Sequence, residues 1–185
     1  GLRDKLMSCL RRGRRVADVI DPTVIGAHVI AAADATGVPY EVMECDPELA
    51  DTAEFCERYG VALEESGNCI VVASRKEPRE FAACLVLSHT RLDVNRTVRK
   101  LMGVRKLSFA SAEDTSELTG MIIGGVTPFG LPEGLPVYID QAVMELESVV
   151  IGGGNRSQKL RVPPAALERL AATQVIEGLA LLPSD

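Results

Sequence analysis

Apolar residues at helical spacing alternate along the chain with short runs of β-forming residues. Asp21 and Pro22 place a capping residue before a proline at the first helical position, apolar residues then recur every three or four positions, and Gly37 ends the helix. Capping residues, prolines and glycines in similar arrangements predict further helices over residues 46–60, 93–103, 111–119 and 163–170.

Short runs rich in β-branched and aromatic residues predict the strands. The order of helices and strands is irregular, and several strands follow each other through tight turns. This order indicates an α+β fold in which a mixed, partly barrel-like β-sheet is surrounded by helices. The predicted strands are at residues 38–45, 70–73, 81–88, 160–162 and 175–176, with others around Met121, Val137 and Val149.

The segment 120–140 is rich in glycine and proline between two apolar runs. Residues 121–123 form the first run, and residues 137–139 form the second, which ends at the acid Asp140. Glycine permits positive φ and close backbone approach, whereas proline fixes φ and stiffens the chain. This composition favours a rigid loop whose backbone N–H and C=O groups face a ligand, and a plain hairpin connection is the alternative.

Length and composition narrow the class of protein. A chain of 185 residues that is 46% hydrophobic is large enough for one domain with a substantial core. No apolar run is long enough to span a membrane, so no membrane partner is expected. Five scattered cysteines and two histidines, with no CxxC pair, predict reduced thiols in a cytoplasmic protein and no metal or other cofactor.

Charge is unevenly distributed along the chain. Residues 1–15 carry six basic side chains and one acidic one, although the net charge of the whole chain is −6. The acidic remainder argues against DNA as a partner and against non-specific binding of nucleic acid through a broad basic face. We therefore divide the chain into a basic, helical extension (residues 1–35) and a main domain (residues 36–182). The extension either contacts RNA or is a solvated end.

Several separated motifs occur in the order found in one known family. Within them, residues 124–128 match the GxxxP loop of that family, and the similarity extends over about residues 35–180. The chain resembles the YbaK/EbsC-type aminoacyl-tRNA deacylases. Their superfamily also includes the editing insertion domain of bacterial prolyl-tRNA synthetases. The motifs that carry the resemblance are at residues 60–64, 104–119, 120–130, 135–140 and 152–157.

The resemblance implies a YbaK-like fold and hydrolysis of the ester that joins a wrong, small amino acid to the 3′ end of a tRNA. The implied partners are the 3′ end of an aminoacyl-tRNA and an aminoacyl-tRNA synthetase. Because an ester carbonyl is already activated, catalysis needs positioning, a water molecule and a site for the oxyanion. Backbone N–H groups of a glycine-rich loop can supply that site.

The same motifs suggest the candidate site residues. Arg156 is suited to a phosphate because its guanidinium is a planar fork, with a surface salt bridge as the alternative. The hydroxyl of Thr127 is equally consistent with contact to a ligand and with stabilisation of the turn. The catalytic candidates are Asn68, Gly124 and Asp140, and the substrate-binding candidates are Gly125, Val126, Thr127, Pro128, Phe129 and Arg156.

Asn68 occupies the position of the lysine that is typical of the family. A lysine ammonium can stabilise negative charge on a substrate, whereas asparagine offers only hydrogen bonds. Losing one charged contact to the transition state would cost roughly 10²–10³ in rate. Lys76, in a predicted turn, is a poor substitute. Asn68 therefore orients the carbonyl or a water in an altered deacylase, belongs to a binding module without turnover, or caps the start of the strand.

Overall fold

A computed structural model of the chain describes residues 21–183. Within this range no helix is both long enough and apolar enough to cross a membrane. Short 3₁₀ turns at Pro47–Leu49 and Leu63–Glu65 and a π turn at Val94–Val98 accompany the α-helices. The α-helices are α1 (Pro22–Asp34), α2 (Thr52–Tyr59), α3 (Arg99–Met102), α4 (Ala112–Thr119), α5 (Gln141–Met144) and α6 (Pro164–Glu168).

The strands of the described residues are arranged in two main sheets and one short pair. They are β1 (Glu41–Glu44), β2 (Gly67–Ser74), β3 (Phe81–Leu87), β4 (Arg91–Leu92), β5 (Leu107–Phe109), β6 (Val137–Asp140), β7 (Val149–Gly152), β8 (Gln158–Val162), β9 (Thr173–Ile176) and β10 (Ala180–Leu181).

The larger sheet is mixed and has the strand order β5-β2-β3-β6-β9. Strands β5, β2 and β3 pair antiparallel, whereas β3, β6 and β9 pair parallel. Strands β1, β8 and β7 form an antiparallel sheet, and β4 pairs with β10. The predicted α+β fold with a mixed sheet is confirmed. The strands of residues 21–183 lie in separate sheets and do not close into one barrel.

Strand β3 is central because both of its faces are buried. One face packs in the main core with α1, β6, β7 and β8, and the other packs with β4, β5 and the π turn. A strand that is covered on both sides is expected to be apolar without alternation, as β3 is. Its main-core residues are Ala83, Leu85 and Leu87, and the residues on its other face are Ala82, Cys84 and Val86.

Helix α1 begins and packs as its sequence predicts. Asp21 caps it by accepting a hydrogen bond of 2.9 Å from the N–H of Thr23. Ile25 and Val29 on α1 are buried in the main core. The division of the chain at residue 35 therefore separates α1 from a core that it helps to form. The rest of the predicted extension, residues 1–20, lies outside the described residues.

Two predictions about local structure are wrong. No strand forms around Met121, because its N–H donates to the Thr119 hydroxyl over 3.1 Å and its side chain is buried in the main core. The residues from 121 to 136 form an irregular loop. The predicted helix over residues 46–60 is divided into the 3₁₀ turn at Pro47–Leu49 and helix α2, which begins after Asp51.

Two valines on α1 test whether this helix belongs to the domain. Val29 is 0% exposed and Val24 is 45% exposed. We expect Val29→Ala to lower the free energy of unfolding by about 1.5–3 kcal/mol, because it removes buried methyl groups. Val24→Ala makes the same change in helix propensity and should alter stability by less than about 0.5 kcal/mol. Urea denaturation measures both, and equal effects would contradict the packing of α1.

Candidate functional site

Two glycine-rich segments contact each other directly through their backbones. The N–H of Gly154 donates to the carbonyl of Gly125 over 2.6 Å, and the N–H of Ile122 donates to the carbonyl of Gly154 over 3.0 Å. A Cβ atom at Gly125 would overlap the backbone of Asn155. Glycine is therefore required at position 125 for backbone packing. The carbonyl of Gly125 therefore accepts a hydrogen bond from within the protein.

A cavity of about 390 Å³ lies beside this contact. Strand β2 of the five-stranded sheet lines it on one side, and β7 and β8 of the three-stranded sheet line it on the other. The start of α2, the end of β5 and part of the glycine-rich loop complete the walls. The cavity therefore lies at the seam between the two sheets. Its polar and loop residues include Asp51, Thr52, Asn68, Gly124, Val126 and Lys159.

Asn68 lines this cavity from β2. Its Oδ1 accepts a hydrogen bond of 2.8 Å from Oγ1 of Thr52 at the start of α2. The other end of the amide, Nδ2, has two N–H donors. The contact with Thr52 fixes the amide plane, so Asn68 can donate to a ligand oxygen, although it carries no charge.

Lys159 lines the same cavity from β8 and was not among the residues predicted from the sequence. It is only 8% exposed, and its Nζ donates to the carbonyl of Gly124 over 3.1 Å. Nζ also lies 5.4 Å from the centre of the Phe55 ring. Burial lowers the pKa of Lys159. In the sequence, Lys159 precedes the apolar Leu160 on a strand, which is the pattern of a surface lysine, so no local signal marked it.

Arg156 forms an ion pair at the edge of the cavity. Its Nη1 and Nη2 donate to the two carboxylate oxygens of Asp51 over 2.9 and 3.2 Å, and its Nε donates to the carbonyl of Pro47 over 2.9 Å. The guanidinium holds the pKa of Asp51 below its ordinary value. A Cβ at Gly124, which has φ +90°, would overlap this guanidinium. Arg156 was predicted either to bind a phosphate or to form a surface salt bridge, and the structure contains the salt bridge.

Most of the loop residues that were predicted to bind substrate do not line the cavity. Val126 lines it, as does the catalytic candidate Gly124, whereas Gly125, Thr127, Pro128 and Phe129 are buried and do not line it. Phe129 is 0% exposed in the main core, because burial of a large aromatic side chain is strongly favourable. The loop therefore faces the cavity only as far as Val126 and then turns into the core.

Asp140 is also not brought to the cavity. Its Oδ1 accepts from the N–H of Ala142 over 3.3 Å and caps α5, and its Oδ2 accepts from the N–H of Ala180 over 3.1 Å. Burial raises the pKa of Asp140. The carboxylate that was expected to be catalytic therefore connects α5 to β10, and the structure does not bring it together with Asn68 and Gly124 at the cavity.

Comparison with known families gives the class of protein. Residues 46–170 match the aminoacyl-tRNA editing domain, and this span contains Asn68, Gly124 and Lys159. The match covers more than half of the chain. The chain therefore belongs to the aminoacyl-tRNA editing domain family, and the resemblance to YbaK/EbsC-type proteins that its motifs indicated is confirmed.

The chain is also similar to individual proteins and solved structures. The "Uncharacterized protein YwhH" of Bacillus subtilis is 26% identical over 135 residues, which are 73% of this chain and 83% of the relative. The "Putative Cys-tRNA(Pro)/Cys-tRNA(Cys) deacylase EbsC" of Enterococcus faecalis is 24% identical over 93 residues, which are 50% of this chain and 56% of the relative. The crystal structure of "a putative trans-editing enzyme for prolyl tRNA synthetase" superimposes with a TM-score of 0.70 and 27% identity, covering 82% of this chain and 94% of that one.

Two glycine substitutions test the backbone contact beside the cavity. We expect Gly125→Ala to lower the free energy of unfolding by roughly 3 kcal/mol, because the new Cβ would overlap the Asn155 backbone. Gly134 has φ +81° and open space around its Cβ position, so Gly134→Ala should cost only the local strain, about 1 kcal/mol. Thermal and urea unfolding measure the loss of stability in both variants, and so compare the cost of atomic overlap at position 125 with the cost of backbone strain at position 134. A Gly125→Ala variant as stable as Gly134→Ala would contradict the contact.

The ion pair between Arg156 and Asp51 makes a prediction about pH. In Arg156→Met the pKa of Asp51 should rise towards its ordinary value, because the guanidinium that lowers it is gone. The pair stabilises the fold above the unfolded-state pKa of Asp51, and this stabilisation is lost as pH falls through the lower folded-state pKa. The stability difference between wild type and Arg156→Met should therefore narrow in acid. Carboxyl NMR titration and unfolding at several pH values measure the pKa of Asp51 and the stability difference, with Arg169→Met, at an exposed arginine, as the control.

Proposed function

We propose that this protein is a trans-editing hydrolase that cleaves the ester bond of a tRNA mischarged with a small amino acid, with Asn68 at the usual position of a lysine. The observation that carries this proposal is that Asn68 and Gly124 of the GxxxP loop line one cavity. Membership of the aminoacyl-tRNA editing domain family supports the class of reaction.

The size and the walls of the cavity support a small aminoacyl group as the ligand. A volume of about 390 Å³ is near the lower end for small-molecule sites. Asn68 supplies hydrogen-bond donors within it. Phe109, which is 58% exposed at the cavity, offers an aromatic face on which the terminal adenine can stack. These features suit an aminoacyl-adenosine end better than a larger acyl group.

The proposed reaction needs an oriented carbonyl and a water molecule. The water oxygen attacks the acyl carbon, the bond from that carbon to the ribose oxygen breaks, and the ribose oxygen takes the proton that the water loses. The products are the free amino acid and the tRNA. Asn68 Nδ2 donates to the carbonyl oxygen or to the water, and Thr52 holds the amide in place for this role.

The tRNA itself must be held largely outside the cavity. The chain is acidic overall, with a net charge of −6, and residues 1–15 carry its main basic cluster. An acidic surface repels the phosphate backbone. We infer that the basic segment or an aminoacyl-tRNA synthetase supplies most of the affinity for the tRNA body.

A non-catalytic module that binds an aminoacyl-adenosine-like ligand or a synthetase is the second candidate. The observation that favours it is that Asn68 is neutral and its oxygen is bonded to Thr52. Such a module would bind the same end of the tRNA without releasing product.

Deacylation of tRNAs mischarged with alanine, serine or cysteine tests the proposal. We expect turnover of at least one of them, and we expect Asn68→Ala to lower kcat/KM about 10–100-fold through the loss of one hydrogen bond to the reacting group. Asn95→Ala removes an exposed asparagine that does not line the cavity, and this control variant should retain full activity. Ligand-induced thermal stabilisation by a non-hydrolysable aminoacyl-adenosine analogue, with no product from any tRNA, would favour the binding module instead.

A further inference from the structure

We propose that Lys159 is a catalytic residue of this site, whose ammonium stabilises the oxyanion that forms on the ester carbonyl. The positive charge absent at position 68 of β2 would thus be supplied from β8, across the seam between the two sheets. This inference rests on the proposed deacylase function and adds to it the group that carries the charge.

The position of Lys159 on β8 directs it towards the cavity. Lys159 is opposite Gly152 of β7 in the strand register, and Gly152 lines the cavity. The next residue, Leu160, is buried in the main core on the other face of the sheet. Side chains alternate between the faces of a strand, so Lys159 lies on the face that α2 and Phe55 cover. A position in the middle of the sheet gives the ammonium a rigid base.

The contacts of the ammonium orient it without using all of its donors. An ammonium has three N–H groups. One donates to the Gly124 carbonyl, and the face of Phe55 lies on another side of Nζ. At least one donor remains for a ligand oxygen. Because Gly124 belongs to the GxxxP loop, the cation and the loop are positioned together.

The charge of Lys159 is not neutralised by a neighbouring carboxylate. In the part of the chain that the structure describes, the ion pairs are formed by Arg79, Arg156 and Arg161, and no carboxylate oxygen lies within 4.0 Å of Lys159 Nζ. The nearby carboxylate of Asp51 is held by Arg156. A buried cation without an ionic partner is costly for folding, and it acts strongly on a charge that develops nearby because burial weakens screening by solvent.

Depth in the protein favours the ester carbonyl over a tRNA phosphate as the target. Lys159 is 8% exposed, whereas a phosphate of the tRNA backbone stays at the surface. In the reaction, water adds to the acyl carbon, negative charge moves to the carbonyl oxygen beside Nζ, and it returns when the bond to the ribose oxygen breaks. In the proposed step the ammonium keeps its proton, so the lysine is neither consumed nor required as a base.

Lys159→Gln and Lys159→Met test the charge in the deacylation assay. Both remove the positive charge, and glutamine keeps an N–H donor for the Gly124 carbonyl. We expect each to lower kcat by about 10²–10³ with little change in KM, because the contact is made in the transition state. Lys100→Met, at an exposed lysine of α3, should retain wild-type rates. Thermal unfolding shows whether each variant is folded.

A rescue experiment separates the charge from a structural role. In Lys159→Gln with Asn68→Lys, a cation reaches the cavity from β2, and we expect at least tenfold recovery of kcat. The role of Lys159 would be overturned if the wild type is active and folded Lys159→Gln has the same kcat, or differs only in KM. The proposed deacylase function would still stand in that case. A wild type inactive on every tRNA would instead overturn the proposed function and the catalytic role together.

Discussion

The backbone contact between Gly125 and Gly154 is the constraint on which the geometry of the cavity depends. Two chain segments approach so closely there that a hydrogen bond of 2.6 Å joins them and a side chain at position 125 has no space. The contact holds the neighbouring Gly124, whose carbonyl accepts a hydrogen bond from Lys159. Gly124 also has no Cβ, which leaves space for the guanidinium of Arg156. Polar side chains from three different elements can therefore meet at one cavity.

Much of the fold could be predicted from the sequence because its signals are local. The caps of α1 and α4 are formed by Asp21 and Ser111 as expected, and the apolar run of β3 matches a strand covered on both faces. Strands β4, β5 and β10 are only two or three residues long and exist because they have partners, so no local pattern marks them. The strand around Met121 was a wrong prediction because an apolar run predicts burial, not a hydrogen-bonded partner.

The site was less predictable than the fold. The motif loop and position 68 could be found because both lie in recognisable sequence patterns. Lys159 could not, because alternation on β8 is equally typical of a lysine in water, and its burial depends on contacts with α2 and the glycine-rich loop, which are distant in sequence. Asp140 and Phe129 were predicted at the site because they are near the loop in the sequence. The loop turns inward after Val126, so Phe129 lies in the core, and the Asp140 carboxylate bonds the backbone of Ala142 and Ala180.

The location of the cavity has a mechanical consequence. The two sheets adjoin where Gly67 packs against Val149 and Ile151, and where Ser66 forms an isolated bridge with Val150. A molecule that binds both Asn68 on one sheet and Lys159 on the other would link the two sheets. Ligand binding in the cavity would then restrict movement of one sheet relative to the other.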